Sequence, residues 1–106
     1  MEWELFVSQL KKEIQSSDFV DVMNGELILR DGEETISYQS FQRVIRRRVD
    51  GKGHEVVLQN VETVSFSKKD SKVSVEVKDT LGVGHLAVIH YFLYKQFDGI
   101  LSEPNE

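Results

Sequence analysis

Residues 54–78 read HEVVLQNVETVSFSKKDSKVSVEVK, and this stretch decides the predicted fold. Val73, Val75 and Val77 alternate with polar residues, which is the two-residue period of a strand with one buried and one solvated face. A second β-rich run precedes them, and the polar residues 68–71 lie between the two runs. The stretch therefore predicts an antiparallel hairpin whose apolar face the rest of the chain must cover.

The N-terminal residues show helical periodicity. Apolar side chains recur three or four positions apart at Trp3, Phe6, Val7, Leu10 and Ile14. This spacing predicts an amphipathic helix of about four turns that packs on the sheet. Acidic residues interrupt the first positions, unlike a signal peptide, and no run reaches the roughly 20 apolar residues of a membrane span. We therefore expect a cytoplasmic chain without a membrane span.

Asn24 and Gly25 separate two apolar runs, residues 19–23 and 26–30. Asn-Gly supplies the positive φ angles of a type I′ turn, so these runs predict a hairpin, to which residues 35–38 add a third strand. Residues 38–49 fit either a short helix or a strand that enters a glycine-containing turn at residues 50–53. Both alternatives stay open from the sequence.

Residues 85–97, HLAVIHYFLYKQF, predict a C-terminal helix. Its apolar side chains extend beyond one core-facing stripe, and a helix that is apolar on most sides is enclosed or packs against a partner. The candidate partner-binding residues are Val88, Tyr91, Phe92 and Tyr94. The predicted fold class is α+β: an antiparallel β-meander or roll of five to seven strands with an N-terminal and a C-terminal amphipathic helix. Residues 1–101 form the expected domain, and residues 102–106 a polar tail.

A basic cluster stands out in a chain whose formal net charge is −5. Its members are the candidate anion-binding residues Arg43, Arg46, Arg47, Arg48 and Lys52. On a strand, Arg46 and Arg48 would share one face and Arg47 the other, with Phe41 in the buried stripe. The cluster predicts docking of an acidic partner or a phosphate, although the acidic balance disfavours a general affinity for nucleic acid.

Catalytic and metal-binding motifs are absent from the sequence. There are no cysteines, and His85 and His90 are five residues apart, which is not the one-face spacing of two helical metal ligands. The glycine-containing segments match neither a dinucleotide-binding nor a phosphate-binding loop, and no serine lies in a nucleophile elbow. The sequence therefore predicts neither enzyme activity nor a cofactor.

Two family resemblances follow from these patterns. Residues 43–79 carry an RVI strand start followed by LQNVETV, and over residues 41–97 this resembles the second half of bacterial pleckstrin-homology-like domains. That resemblance implies a binding or scaffolding module. A helix at residues 39–48 would instead give the order α-β-β-β-α-β-β-α, which is similar to the type III secretion chaperones.

Three functions are consistent with the sequence. The first is a non-enzymatic adaptor that binds another protein, or a second copy of itself, through the predicted C-terminal helix. The second is an anion- or nucleic-acid-binding regulator that uses the basic cluster. The third is a small chaperone for a secreted protein.

Overall fold

The computed structural model describes residues 2–92, which form one helix and eight strands. In chain order they are α1 (Trp3–Ser16), β1 (Phe19–Met23), β2 (Glu26–Asp31), β3 (Glu34–Phe41), β4 (Val44–Val49), β5 (Lys52–Gln59), β6 (Val61–Lys69), β7 (Lys72–Asp79) and β8 (Gly84–His90). Strands β1 to β5 form one antiparallel sheet in sequential order, and β6 to β8 form a second. The architecture is mostly β.

The chain passes from the first sheet to the second at Asn60, the single residue between β5 and β6. Its φ of 60° turns the backbone out of the first sheet. The next N–H, that of Val61, donates to the carbonyl of Arg43 at 2.9 Å, and the carbonyl of Asn60 accepts from Thr80 at 3.0 Å. These two bonds attach the crossing to a turn of each sheet.

Helix α1 packs between the two sheets. Phe6, Leu10 and Ile14 are each at most 1% exposed, as their four-residue spacing requires of one buried helix face. The helix contacts β5 and β8, which are the last strands of the two sheets. Full burial of an apolar side chain of this size contributes about 1.5–3 kcal/mol, so these three residues hold the helix on both sheets.

Alternating residues of both sheets fill the rest of the core. The first sheet contributes Val20, Leu27, Leu29, Ile36, Tyr38, Ile45 and Leu58, and the second contributes Val61, Phe66, Val73, Val75, Val77 and Ile89. The predicted alternation in β7 is confirmed, since all three of its valines are at most 2% exposed. The predicted Asn-Gly turn is also confirmed: Asn24 and Gly25 join β1 to β2 with φ angles of 53° and 78°.

The predicted C-terminal helix is wrong for the residues that the structure describes. Residues 84–90 form β8, which pairs antiparallel with β7. Ile89 lies opposite Val73 and is 3% exposed. The sequence here is apolar at both helical and strand spacing, so the open edge of β7 decides the conformation. Residues 93–97 of the predicted helix, with Tyr94, and the predicted tail at residues 102–106 lie outside the described range.

The alternative helix at residues 39–48 is also wrong. These residues belong to β3 and β4, which Gln42 and Arg43 connect with φ angles of 47° and 66°. A left-handed backbone costs an ordinary residue about 1–2 kcal/mol, so two long side chains give no sequence signal for such a turn. Eight strands thus replace the expected five to seven, and the secretion-chaperone order does not apply.

Candidate interaction surfaces

The strand conformation of β4 divides the basic cluster between two faces of the first sheet. Arg47 lies opposite Tyr38 and points inward, whereas Arg46 lies opposite Gln39 and points outward. Arg48 lies opposite Ser37, on the same face as Arg46. This is the separation predicted for a strand. We call the solvated side that carries Arg46 and Arg48 the outer face.

Arg47 is used within the fold. Its Nε and Nη2 atoms donate to the two carboxylate oxygens of Glu13 on α1 at 2.8 and 2.7 Å, and its Nη1 donates to Glu55 at 3.1 Å. The hydroxyl of Tyr38 also donates to Glu13. Both carboxylate partners of Arg47 are therefore supplied by the chain itself, and this arginine holds α1 to the sheet.

These contacts shift the pKa values of the three groups. Burial opposes ionisation of Glu13, but the hydrogen bonds from Arg47 and Tyr38 outweigh it and hold the pKa of Glu13 below its usual value. Burial, and then the hydrogen bond to Glu13, raise the pKa of Tyr38. The hydrogen bond to Glu13 raises the pKa of Arg47. Glu13 and Arg47 thus form a stable ion pair at neutral pH, and Tyr38 is hydrogen-bonded to it.

Arg46 packs on an aromatic ring on the outer face. Its guanidinium carbon lies 3.9 Å from the ring centroid of Phe41, and its Nε donates to the side-chain oxygen of Gln39 at 2.7 Å. The ring of His54 meets Phe41 edge-on, with 5.4 Å between the centroids. The assignment of Phe41 to a buried stripe is therefore wrong. We call Gln39, Phe41, Arg46 and His54 the stacked cluster.

The other three cations differ in their surroundings. Arg48 donates from Nε to the carbonyl of Gly53 at 3.1 Å and from Nη2 to that of Gly51, which places it beside Lys52 at the β4–β5 turn. Among the described residues, no carboxylate lies within ion-pair distance of Arg46, Arg48 or Lys52. Arg43 lies in the β3–β4 turn, 4.0 Å from Glu62. The structure thus brings three of the five predicted residues to one region.

An apolar surface lies along β8. Leu86 and Val88 point away from the core and are 61% and 48% exposed. Five of the nine exposed large hydrophobic residues in the described part of the chain fall within residues 81–92. We call them the β8 surface: Leu81, Val83, Leu86, Val88 and Phe92.

The predicted partner-binding residues are only partly on the β8 surface. Val88 and Phe92 belong to it. Tyr91 does not: it is 4% exposed, its N–H donates to Ser71, and its hydroxyl donates to the carbonyl of Asp70 at 3.3 Å. Tyr94 lies outside the described residues.

Asp79 organises the turn before β8. One carboxylate oxygen accepts the N–H groups of Leu81 and Val83, each at 2.9 Å, and the other lies 3.1 Å from Nε2 of His85. The hydrogen bond from His85, with those from the backbone, lowers the pKa of Asp79. The His85 ring also lies 5.2 Å from that of Trp3 on α1. The His–Asp pair thus fixes a turn and contacts the helix.

A model of the family described as "Putative Competence protein ComGF" matches residues 1–83, well over half of the sequence. The chain belongs to the ComGF family. No curated protein and no solved structure matches it. The likeness to pleckstrin-homology-like domains stays a prediction.

The ComGF match covers α1 and the strands β1 to β7. The stacked cluster lies within the matched residues of this ComGF chain, and β8 follows them. Within residues 2–92, no three acidic or histidine side chains come together as a metal site, and no helix is long and apolar enough to cross a membrane.

Sequence reasoning did not identify three residues whose side chains organise contacts within this ComGF chain: Glu13, Tyr38 and Asp79. Glu13 and Tyr38 meet only through the tertiary fold, since they are 25 residues apart. Asp79 lies at the turn before a strand, β8, where the sequence predicted a C-terminal helix.

Proposed function

We propose that this chain is a non-enzymatic component of the competence apparatus that binds another protein of that apparatus through the β8 surface. Its membership of the ComGF family supports the competence role. The observation that carries the binding role is the outward position of Leu86 and Val88 on the last described strand, beside Phe92, which is 68% exposed. Concentrated apolar exposure of this kind is typical of protein interfaces.

The charged clusters support a role in binding instead of catalysis. Glu13 and Arg47 neutralise each other, and Asp79 uses both of its carboxylate oxygens in the β7–β8 turn. A catalytic acid or base needs a free position facing a substrate, and these groups face their own partners. The cytoplasmic location expected from the sequence is part of this proposal and is testable by cell fractionation.

The position of β8 in its sheet indicates the kind of partner. Among the described strands, β8 pairs with β7 alone, so its other edge carries backbone groups that can bind an added strand. The outward-facing residues of β6 and β7 are polar. Those of β8 include Leu86, which pairs with Glu76, and Val88, which pairs with Ser74. A partner that covers this edge would bury apolar area beside a polar rim, which is the usual anatomy of an interface.

The test replaces the chromosomal gene of the source strain by variants and measures transformation frequency. We expect Leu86→Glu/Val88→Glu to lose transformation, because two carboxylates would be buried in the interface. The matched control is Ser65→Glu/Ser67→Glu, which adds the same charge in the same two rows of the sheet, on the exposed strand β6. We expect the control to transform as the unmodified strain does.

Two results would contradict the proposal. If deletion of the gene leaves transformation unchanged, the competence role is wrong. If the β8 variant accumulates, folds by circular dichroism and transforms normally, the β8 surface is not the binding site. Sedimentation of the purified chain tests whether the partner is a second copy of the chain. In that case the unmodified chain sediments as a dimer and the β8 variant as a monomer.

A further inference from the structure

The outer face of the first sheet carries a cation that packs on an aromatic ring and has no carboxylate partner among the described residues. Arg46 is held by Phe41, 3.9 Å from its guanidinium carbon, and by Gln39 at its Nε. Its Nη1 lies 3.4 Å from Nδ1 of His54, so Nη2 is the terminal nitrogen that the described residues leave without a hydrogen bond. A guanidinium in this position can bind a phosphate with its edge and stack a base on its exposed plane.

A second cation extends this region along the β4–β5 hairpin. Arg48 lies two positions from Arg46 on the same strand face, about 7 Å away by strand geometry. Its hydrogen bonds to the carbonyls of Gly51 and Gly53 fix its position and leave its charge unneutralised. Lys52 lies between these two glycines and is exposed, but it pairs with the core-packed Val49 and so starts on the opposite face of the sheet. Two positive charges, those of Arg46 and Arg48, therefore lie on the outer face.

We infer that the outer face around Phe41, Arg46, Arg48 and His54 is a binding site for single-stranded DNA. Proteins that bind single strands combine a positive surface for the phosphates with aromatic or guanidinium planes for the bases. The stacked cluster supplies the planes, and Arg46 and Arg48 supply the positive surface. Val56, which lies opposite Arg46 and is 40% exposed, adds apolar contact area beside them.

The charge distribution of the sheet limits where single-stranded DNA can bind. Glu26 alternates with the buried Leu27 and therefore faces outward on β2, two strands from β4 and about 10 Å from Arg46 by strand spacing. It would repel phosphates from the β1–β2 side. We therefore place the site on β3, β4 and β5, away from Glu26.

An acidic peptide is the competing ligand, because it would also bind Arg46 and Arg48. The stacked cluster favours nucleic acid, since a peptide carboxylate needs the charge of Arg46 but not its plane on Phe41. Duplex DNA is disfavoured as well, because its bases are stacked on each other and unavailable to a side-chain plane.

The test measures fluorescence anisotropy of a labelled oligothymidine of about 12 nucleotides, within the usual site size of such proteins, over a series of salt concentrations. For two phosphate contacts the affinity should fall with salt with a log–log slope of about −1.4. We expect Arg46→Gln to weaken binding at least about fivefold by removing both a phosphate contact and a stacking plane. The slope should become shallower by about 0.7.

Two further variants separate stacking from charge. Phe41→Leu keeps every charge, so it should weaken binding while the salt slope stays unchanged. Arg43→Gln is the matched control, because it removes the same charge from a turn where Arg43 faces Glu62. Its affinity should stay within about twofold of the unmodified chain, since it makes no phosphate contact at this site. Thermal unfolding of each variant confirms that it is folded.

The proposal is overturned if the oligonucleotide does not bind at low salt, or if Arg43→Gln weakens binding as much as Arg46→Gln does. It is also overturned if Phe41→Leu has no effect, or if a duplex or an oligoglutamate peptide of equal charge binds as tightly as the single strand. None of these outcomes bears on the β8 surface, which lies on the other sheet.

Discussion

Glu13 on α1 and Arg47 on β4 are 34 residues apart and form a two-point ion pair, with donor–acceptor distances of 2.8 and 2.7 Å. The side chain of Arg47 is 25% exposed and that of Glu13 is 19% exposed, so solvent screens the pair only in part. The pair connects the C-terminal half of the helix to the first sheet, next to the buried Leu10 and Ile14.

We expect Glu13→Gln to lower the free energy of unfolding by about 2 kcal/mol, because Arg47 loses a charged, two-point partner in a partly buried position. Urea unfolding measures the change. Glu55→Gln is the control: Glu55 is 60% exposed and makes one bond to the same arginine, so it should cost less than about 0.5 kcal/mol. Equal losses of unfolding free energy for the two variants would show that the contact of Arg47 with Glu13 contributes no more to stability than its contact with Glu55.

The contribution of Glu13 should depend on pH. Its pKa is lower in the folded chain than the unfolded value of 4.5, so its stabilising effect is complete above that value and is lost as the pH falls through the folded pKa. We expect the difference in unfolding free energy between the unmodified chain and Glu13→Gln to be constant near neutral pH and to shrink as the pH falls through the lowered pKa of Glu13. A difference that grows on acidification would contradict the assigned direction.

Tyr91 and Leu86 should differ in their response to the same substitution. Tyr91→Glu places a carboxylate where the side chain is 4% exposed, and we expect it to cost at least about 2 kcal/mol of stability. Leu86→Glu changes a side chain that is 61% exposed and should alter stability by less than about 0.5 kcal/mol. Thermal unfolding of both variants measures this. Similar unfolding temperatures for the two would place Tyr91 on the surface.

The first hairpin should depend on the backbone of its turn. Gly25 has a φ of 78°, and Gly25→Ala should destabilise the chain by about 1 kcal/mol, because a Cβ is strained in that region. Gly84 has no such φ and has equally open space around it, so Gly84→Ala should change stability by less than about 0.5 kcal/mol. Chemical unfolding of both variants distinguishes strain at a positive φ from an effect common to any glycine replacement. An equal loss of stability at both positions would refute the assignment of strain to the turn.

Local patterns in the sequence predicted the elements whose signals are contained in a few neighbouring residues. The spacing of Phe6, Leu10 and Ile14 gave the helix, the valines of β7 gave a strand, and Asn24-Gly25 gave the first turn. Such signals succeed because a helix face, a strand face or a type I′ turn imposes its requirement on residues close together in the chain. The separation of Arg46 from Arg47 also followed from strand geometry alone.

Other features depended on residues far apart in the sequence. Residues 84–90 are apolar at both periods, and only pairing with β7 made them a strand. Phe41 and Tyr91 are both aromatic, yet the fold exposed one to Arg46 and His54 and buried the other beside Asp70.

The sequence by itself therefore determined the helix, the valine hairpin and the charge of the basic cluster. The tertiary structure decided which arginine is neutralised, which aromatic ring lies on the outer face and that residues 84–90 pair with β7 as a strand. The physical reason is that burial and ion pairing are properties of groups brought together by folding, whereas periodicity and turn preference are properties of the local backbone.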